Sequence, residues 1–329
     1  MSTSNNGDDG KQRAAEQYQQ GYLPPVQQQS LENTAGKQTD LPADQENLYL
    51  PTEWNHVDGA AKSHVTKYRA AAKLQGKHAL ITGGDSGIGR STSILFAMED
   101  VAKVVIHYLP EREEQDARQT EKLIQSLVPE WKGEVHLIAA DMRQEANVES
   151  FFQDALKKLD GRVDILFNNA GFQREVESIE DLAYSQIVQT FQVNILSLML
   201  LTKLCVPHMP RGGSIINNAS INHYVGHPKL LDYSATKGAI IAFTRALSNQ
   251  IVAERSIRVN AVCPGPVWTP LPPATMGTDS LESFGTTTPM KRPGQPVEVA
   301  TCVVFLAGPD SSYISGQSLH PNGGVVVNS

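Results

Sequence analysis

Between residues 78 and 320, short apolar runs alternate with longer amphipathic segments. The apolar runs, most of them rich in Val and Ile, are HALIT (78–82), KVVIHY (103–108), VHLIAA (135–140), VDILFN (163–168), SIINNA (214–219), IRVNAV (257–262) and the shorter SLH (318–320). Segments of helical length, such as STSILFAMED and ESFFQDALKKL, separate them. Continuously apolar strands that alternate with helices are typical of a parallel sheet covered on both faces. The pattern predicts an α/β fold with about seven buried strands.

The first part of the chain has a different amino-acid composition. Residues 1 to about 50 are rich in Gln, Asn, Asp, Gly and Ser, and such a segment buries too little apolar surface to offset its ordering entropy. The stretch LYLPTEWNHV (48–57) contains Leu, Tyr and Trp and is a candidate to dock on the folded body. We therefore predict a mostly disordered N-terminal extension over residues 1–76 and a folded domain over residues 77–329.

Composition narrows the class of protein. The formal net charge of −7 over 329 residues gives no electrostatic reason to expect nucleic-acid binding. The cysteines Cys205, Cys263 and Cys302 are far apart and match no metal-ligand spacing, so we expect reduced thiols. No run of 18 or more apolar residues predicts a membrane span, and the N-terminus lacks the apolar segment of a secretory signal. The expected location is the cytoplasm.

The first strand ends in the glycine-rich turn TGGDSGIGR (82–90). Gly83, Gly87 and Gly89 permit a tight turn and close approach to a phosphate, and a helix that begins here would direct free amides at a pyrophosphate. This position favours a doubly wound sheet over a closed barrel. Two alternatives remain open. One is a P-loop, although Arg90 stands where its lysine should be. The other is a structural turn that binds nothing.

The stretch LDYSATKGA (231–239) places Tyr233 four residues before Lys237. On a helix these side chains share one face. An unperturbed tyrosine has a pKa of about 10, and a fixed cation nearby favours the phenolate and lowers that pKa. The pair is a candidate proton donor and acceptor, although the same spacing also occurs in surface pairs.

Further motifs follow in a fixed order. NNAG (168–171) follows the fourth strand, Asn194 lies in FQVNILS, Ser220 ends the fifth strand thirteen residues before Tyr233, and PGPVWT (264–269) follows the sixth strand. In this order and at these distances, the motifs resemble the short-chain dehydrogenase/reductase family in its single-domain Rossmann form, over residues 77 to about 324. The sequence looks closest to the branch of general-stress oxidoreductases and glucose/ribitol dehydrogenase homologues.

The resemblance implies catalytic roles. Tyr233 would exchange a proton with a carbonyl or alcohol oxygen while hydride moves to or from a nicotinamide. Lys237 would lower the pKa of Tyr233 and bind the nicotinamide ribose, and Ser220 would hold the substrate oxygen. Asn194 would bind a water that links Lys237 to solvent. The alternative for Asn194 is a polar residue bonded within its own helix. An unpartnered side chain would be costly in this apolar helix, which favours a specific role.

The resemblance also implies a nicotinamide dinucleotide cofactor. Gly83, Ser86 and Ile88 would lie along its pyrophosphate and ribose, Asp141 at its adenine, Asn168 at its adenine-side ribose, and Val267 and Thr269 at its carboxamide. The full set of expected cofactor residues is Gly83, Ser86, Gly87, Ile88, Gly89, Tyr108, Asp141, Asn168, Tyr233, Lys237, Val267 and Thr269.

The choice between NAD and NADP depends on the end of the second strand. Tyr108 stands where a carboxylate would bind the ribose hydroxyls of NAD. This favours tolerance of the 2′-phosphate of NADP. Against it, the nearby cation Arg112 lies among acidic residues, and Ser86 replaces the usual basic residue of the glycine turn. We predict NADP(H), with NAD(H) as the alternative.

Two loops are candidates for the substrate wall. His223, Tyr224 and His227 lie between Ser220 and Tyr233, either at the substrate or as ordinary polar loop residues. Because no second ligand cluster accompanies them, no metal site is predicted. Residues 269–294 match the variable lid of the family.

The predicted activity is an NAD(P)-dependent oxidation and reduction of an alcohol/carbonyl pair acting on a small molecule. The alternatives are a silent dinucleotide-binding regulatory protein, and a dehydratase or epimerase on the same fold. The segment AIIAFTRALSNQIVAE has more apolar surface than one covered face needs, and in this family that helix packs against a neighbouring subunit. We therefore expect a homodimer or homotetramer, without nucleic-acid or membrane partners.

Overall fold

The computed structural model describes residues 49–51, 65–277, 280–281 and 283–327. Two short strands, β1 (Tyr49–Pro51) and β2 (Val65–Lys67), pair antiparallel near the N-terminus. Within the described ranges, seven strands form one parallel sheet: β3 (His78–Ile81), β4 (Lys103–Tyr108), β5 (Glu134–Ala139), β6 (Ile165–Asn168), β7 (Ser214–Asn218), β8 (Arg258–Val262) and β9 (Ser318–Leu319). Their order is β5-β4-β3-β6-β7-β8-β9. The strand order reverses between β3 and β6, and ligands of such sheets bind outside the carboxyl ends at this reversal.

Helices cover both faces of the sheet, which confirms the predicted doubly wound architecture. They are α1 (Gly87–Met98), α2 (Glu114–Leu127), α3 (Glu145–Lys158), α4 (Tyr184–Phe191), α5 (Ser197–Cys205), α6 (Asn222–Val225), α7 (Leu231–Arg255), α8 (Leu271–Thr275) and α9 (Pro296–Ala307). A π-helical turn, Gln192–Leu196, joins α4 to α5. Helices α1, α2 and α9 pack on one face, and α3, α5 and α7 contribute to the core on the other.

The central strands are apolar on both sides because both sides are covered. Ile81 and Ile106 pack with α1 and α9, whereas Leu80 and Val105, next to them in sequence, pack with α3 and α5. Successive side chains of a strand point to opposite faces, so two buried faces require a continuous apolar run. This explains why the strands could be predicted from the sequence.

Strand β5 departs from the expected full burial. It is one of the two edge strands of the sheet, and its residues are half-buried or exposed at positions 134–139. Its apolar residues, including Val135 and Leu137, pack at the margin of the core. The sequence did not distinguish this edge from the centre because β5 has the same run of apolar residues as its neighbours.

The described N-terminal segments pack on the body. Leu50 and Tyr68 contact the core cluster on the α1 and α9 face. The buried carboxylate of Glu99, at the end of α1, accepts hydrogen bonds from the Tyr68 hydroxyl, the Ala71 amide (3.1 Å) and the Lys73 amide (2.7 Å). These contacts extend the structured body to the N-terminal side of residue 77, where the sequence places the domain boundary. The rest of the predicted disordered extension lies outside the described residues.

The continuous helical stretch Tyr184–His208 is long and apolar enough to cross a membrane by length and composition. Core helices of soluble proteins pass the same test, so this stretch alone is weak evidence for a span. Leu198, Leu201 and Cys205 on it are buried in the core.

Candidate active site

The turn after β3 leads directly into α1. Gly87 has a φ of +50°, a conformation that glycine adopts without a steric penalty. A Cβ on Gly89 would lie 2.0 Å from the Gly83 carbonyl oxygen, so no side chain fits there. Ser86 precedes the helix, and among the described residues its side chain makes no capping hydrogen bond. The turn therefore leaves the first amides of α1 without a side-chain cap, and this arrangement fits a bound pyrophosphate.

Arg90, at the position of a P-loop lysine, is fully buried. Its Nε donates to the Asp85 carbonyl oxygen (3.0 Å) and to Thr120 Oγ1 (2.8 Å), and its Nη2 donates to the Asp116 carbonyl oxygen (3.1 Å). The guanidinium thus holds the glycine turn against α2. A side chain used in this way does not serve as a phosphate-binding lysine, which removes the P-loop alternative.

The predicted catalytic residues come together at the carboxyl ends of β6 and β7. Tyr233 and Lys237 lie one turn apart on α7 and are both buried. The Lys237 Nζ is 5.2 Å from the centre of the Tyr233 ring and donates a hydrogen bond of 2.7 Å to the Asn218 carbonyl oxygen. Ser220, two residues beyond β7, is hydrogen-bonded to Tyr233. The structure therefore gathers three of these residues into one buried group.

Burial controls the ionisation of this group. It raises the pKa of Tyr233 to about 12, and the Ser220 hydrogen bond acts in the opposite direction. Burial also lowers the pKa of Lys237 to about 8. The expectation that Lys237 brings the pKa of Tyr233 below its ordinary value is wrong for the protein as described, because desolvation of the phenolate outweighs the favourable contacts.

Asn194 lies within the π-helical turn. Its Oδ1 accepts from the Phe172 amide (2.7 Å), and its Nδ2 donates to the Phe172 carbonyl oxygen (2.8 Å) and to Thr236 Oγ1 (3.0 Å). The side chain therefore ties α7 to the segment that follows NNAG. Such turns inside α-helices often occur at functional sites. The sequence signalled the buried Asn but not the π-helical geometry, and its water relay stays a prediction.

The two asparagines of NNAG have different contacts. The Asn168 Nδ2 donates to Thr202 Oγ1 (3.1 Å) and Asn217 Oδ1 (2.9 Å), which connects β6 to β7 and α5. The Asn169 Nδ2 donates to the Gly83 carbonyl oxygen (2.7 Å) and so braces the glycine turn. The contact of Asn168 with a ribose stays a prediction. Sequence reasoning gave Asn169 no individual role.

His107 is a further residue that sequence reasoning missed. The Gly83 amide donates to its Nδ1 (3.1 Å), and its Nε2 lies 2.9 Å from the Ala140 carbonyl oxygen. The ring therefore joins the glycine turn to the end of β5. Burial lowers its pKa to about 4, so it is neutral near pH 7. The signal in the sequence was a histidine inside an otherwise apolar strand.

The predicted adenine end is more open. Tyr108 ends β4, and burial raises the pKa of its hydroxyl, with Glu114 and Arg118 as its charged neighbours. The Asp141 carboxylate accepts hydrogen bonds of 2.9 Å to both oxygens from the Arg143 Nε. This arginine lowers the pKa of Asp141. The cations at this end therefore include Arg118 and Arg143 as well as Arg112.

The predicted nicotinamide segment lies against the glycine turn. A Cβ placed on Gly87 would lie 3.0 Å from Thr269 Cβ and Cγ2. Val267 is buried and bridges to Gly294, and the Trp268 amide donates to the Gly294 carbonyl oxygen (2.9 Å). The arrangement brings Thr269 next to Gly87, as a single cofactor spanning both segments requires.

The predicted lid contacts the segment that follows NNAG. Gln173 Nε2 donates to Thr275 Oγ1 on α8 (3.0 Å), and Glu175 Oε2 accepts from the Gly277 amide (3.0 Å). Positions 278, 279 and 282 of the predicted lid lie outside the described residues. His227 and His223 are half-buried, and burial lowers the pKa of both rings.

Comparison with known proteins agrees with this geometry. A family model described as enoyl-(acyl carrier protein) reductase matches residues 83–326. Glucose and ribitol dehydrogenase of Daucus carota is 44% identical over 274 residues, or 83% of this chain and 93% of that protein. NADPH-dependent aldehyde reductase 1 of Arabidopsis thaliana is 46% identical over 279 residues, or 84% of this chain and 96% of that protein. General stress protein 39 of Bacillus subtilis is 49% identical over 261 residues, or 79% of this chain and 88% of that protein.

Solved structures share the fold over the same region. A short-chain dehydrogenase from Burkholderia cenocepacia in complex with NADP has a TM-score of 0.68 and 29% identity, covering 77% of this chain and 98% of that one. The predicted Rossmann architecture and the resemblance drawn from the motifs are both confirmed. The chain belongs to the short-chain dehydrogenase/reductase family, and it is an NAD(P)-dependent oxidoreductase of that family.

Proposed function

We propose that the protein interconverts a carbonyl and an alcohol with NADP(H), and that Tyr233 is its general acid and base. The observation that carries the proposal is the buried group of Ser220, Tyr233 and Lys237. Two of its members have pKa values displaced by burial, and such groups concentrate at catalytic sites. All three residues are present in this chain. Catalysis requires them, whereas a regulatory protein without catalytic activity would not.

The chemistry follows from the protonation states. A bound nicotinamide would supply or accept the hydride. With a pKa of about 12, Tyr233 is protonated near neutral pH and can donate its proton to a carbonyl oxygen. Ser220 would hold the same oxygen by a hydrogen bond, which positions it for that transfer. Lys237, with a pKa of about 8, is mostly charged at pH 7, and its charge, 5.2 Å from the centre of the Tyr233 ring, would favour the tyrosinate as it forms.

We propose that the residues predicted from the sequence bind the cofactor. The uncapped start of α1 would bind the pyrophosphate, and Tyr108 would lie at the adenine-side ribose. Because Tyr108 takes the place of a carboxylate, the site would tolerate a 2′-phosphate. A relative named as NADPH-dependent and a solved relative in complex with NADP support this preference.

The substrate is proposed to be a small polar aldehyde or an aldose. The segments near the catalytic group carry polar side chains, among them Gln173, Glu175 and His227, and the first two are hydrogen-bonded to Thr275 on α8 and to the Gly277 amide that follows it. The names of two relatives, an aldehyde reductase and a glucose and ribitol dehydrogenase, support the same class. No observation favours the dehydratase or epimerase alternative.

We further propose that the protein forms a homodimer or homotetramer. Leu196 and Met199 are 57% and 42% exposed, and Phe191 and Phe243 are half-buried. These side chains lie on the helical stretch of α4 and α5 and on α7, the helix whose apolar surface the sequence singled out. Covering this surface with a second copy would remove it from water.

The experiment is a fluorescence titration with NADPH and with NADH, followed by NADPH oxidation with a panel of aldehydes and aldoses. Tyr233→Phe should bind NADPH as well as the wild type does and should lose about 10²–10⁴-fold in turnover. Tyr313→Phe is the matched control because Tyr313 is fully exposed, and it should behave like the wild type. Turnover by Tyr233→Phe at the wild-type rate would contradict the role given to Tyr233.

A further inference from the structure

Three ligand-type side chains converge at a corner of the sheet that the proposed reaction does not use. His223 lies on α6, Cys263 directly follows β8, and His320 directly follows β9. Their potential ligand atoms all lie within 4.8 Å of one another. The residues are 40 and 57 positions apart in sequence, so no short motif announces the cluster. The backbone holds the corner together, because the Cys263 amide donates to the Leu319 carbonyl oxygen (2.7 Å).

Each histidine has a buried nitrogen that needs a partner. His223 Nδ1 is hydrogen-bonded to the Ser220 carbonyl oxygen, so Nδ1 carries the proton and Nε2 offers its lone pair. Among the described residues, neither the Nε2 of His223 nor that of His320 has a hydrogen-bond partner, although both atoms are buried. An unmatched buried polar atom is costly. A carbonyl that fixes the tautomer of a histidine is the usual support of a metal ligand.

The surroundings also hold the rings in place. The His223 and His320 rings are stacked, with centroids 6.1 Å apart and an angle of 20° between their planes. Tyr224 packs against both rings, with centroids 3.9 and 5.5 Å away. Aromatic contacts therefore support both rings of the cluster.

Cys263 supplies the third ligand. It is fully buried directly after β8, and its sulfur lies within 4.8 Å of a ring nitrogen of each histidine. A metal ion would replace the thiol proton.

We propose that His223, Cys263 and His320 form a binding site for a thiophilic transition-metal ion, with Zn²⁺ as the favoured occupant. One thiolate and two imidazoles suit Zn²⁺ and Cu⁺ and do not suit Mg²⁺ or Ca²⁺. Zinc–ligand distances of about 2.0–2.3 Å mean that the three ligand atoms, which lie within 4.8 Å of one another, would move closer together by about 1 Å when the ion binds. The fourth position would hold water or a small anion.

A metal here would connect three separate segments. It would join the loop after Ser220, the start of PGPVWT and the C-terminal segment after β9 in a single cross-link. The site thus lies beside the catalytic group without containing Tyr233 or Lys237. The proposal is independent of the reaction proposed above, and it departs from the expectation of no metal drawn from sequence spacing.

The test is a metal titration of the full chain, first stripped with a chelator and kept reduced. Zn²⁺ should bind with one equivalent per chain in competition with a chromophoric chelator, and should raise the melting temperature. Co²⁺ should give the thiolate charge-transfer band and the visible bands of a tetrahedral site. Each of His223→Ala, Cys263→Ser and His320→Ala should weaken binding at least about tenfold, since even supporting residues of metal sites contribute that much.

The matched controls are His227→Ala and Cys302→Ser, which remove a histidine of the same loop and a cysteine outside the cluster. Both should bind Zn²⁺ as the wild type does. His223→Ala and His320→Ala carry less risk of a folding defect than Cys263→Ser, because both histidines are half-buried whereas Cys263 is fully buried, and circular dichroism checks all variants. A Cu⁺ titration in the absence of oxygen identifies which of the two ions binds more tightly. Absence of stoichiometric binding of either ion, or equal binding by the ligand variants and the controls, would overturn the proposal.

Discussion

At the catalytic end of the site, Tyr233, Lys237 and Asn194 are 8%, 3% and 1% exposed. At the adenine end, by contrast, the side chains of Arg143 and Asp141 are 45% and 22% exposed. The first group lies on long helices packed against the sheet, and the second lies where β4 and the edge strand β5 end. Burial at one end displaces pKa values, whereas the exposed charges at the other end are screened by water. In the function proposed above, the buried end would carry the chemistry and the exposed end the selectivity between cofactors.

The largest effect is expected from removing the cation of the buried end. Lys237→Met should lower kcat/KM by about 10²–10⁴-fold, because the tyrosinate loses its stabilising charge and the nicotinamide ribose its hydrogen bond. Steady-state kinetics with NADPH and the best aldehyde would measure it. Lys157→Met is the control, since the Lys157 side chain is 74% exposed. A loss of activity in both variants would contradict the contrast between buried and exposed lysines.

The next effect concerns stability and pH. The pKa of Lys237 is lowered from 10.5 to about 8 in the folded chain. Between these values the unfolded chain binds more protons than the folded chain, so this lysine makes stability rise with pH. At pH 7 the charged Lys237 lowers the free energy of unfolding by on the order of 3 kcal/mol relative to a neutral side chain at the same position.

Urea unfolding of the cofactor-free protein at pH 7 and pH 10 would measure this term. Lys237→Met should be more stable than the wild type at pH 7, and its advantage should shrink toward pH 10. Lys157→Met should show no such pH-dependent difference. An advantage that grows with pH would mean that the sign of the displaced pKa is wrong.

The smallest effect is expected at the open end. Tyr108→Asp should shift the ratio of the NADPH and NADH dissociation constants toward NADH by about tenfold. A carboxylate there accepts hydrogen bonds from the ribose hydroxyls of NADH, each worth about 1.5–3 kcal/mol when charged, and repels a 2′-phosphate. Fluorescence titration measures both constants, and Tyr313→Asp tests the effect of the added charge alone. An unchanged ratio would place the ribose elsewhere.

Local patterns in the sequence predicted much of this molecule. The apolar runs located the strands because the sheet is covered on both faces. The spacing of Tyr233 and Lys237 predicted their meeting because both stand on one helix. The glycine turn could be predicted because its geometry leaves no room for a side chain at position 89, so a glycine must stand there. Each of these features depends on residues that are close in sequence.

The features that were missed depend on residues far apart in sequence. Arg90 could be read as a phosphate ligand until its contacts with Thr120 and Asp116 were known. The pKa of Tyr233 moved upward because its burial depends on the packing of the whole site. His107 reaches Gly83 and Ala140 across three strands, and neither contact leaves a pattern in the sequence.

The hydrogen bonds to Glu99 affect where the molecule can be shortened. Glu99 is fully buried, and its side chain receives donors from residues 68–73. A chain cut just before β3 would keep every strand of the large sheet and every proposed catalytic residue, yet it would leave a buried carboxylate without these donors. A buried carboxyl group that loses its hydrogen-bond partners costs about 1–3 kcal/mol, which is a noticeable share of the stability of most domains. We therefore expect a fragment that starts upstream of residue 68 to be more stable than one cut just before β3.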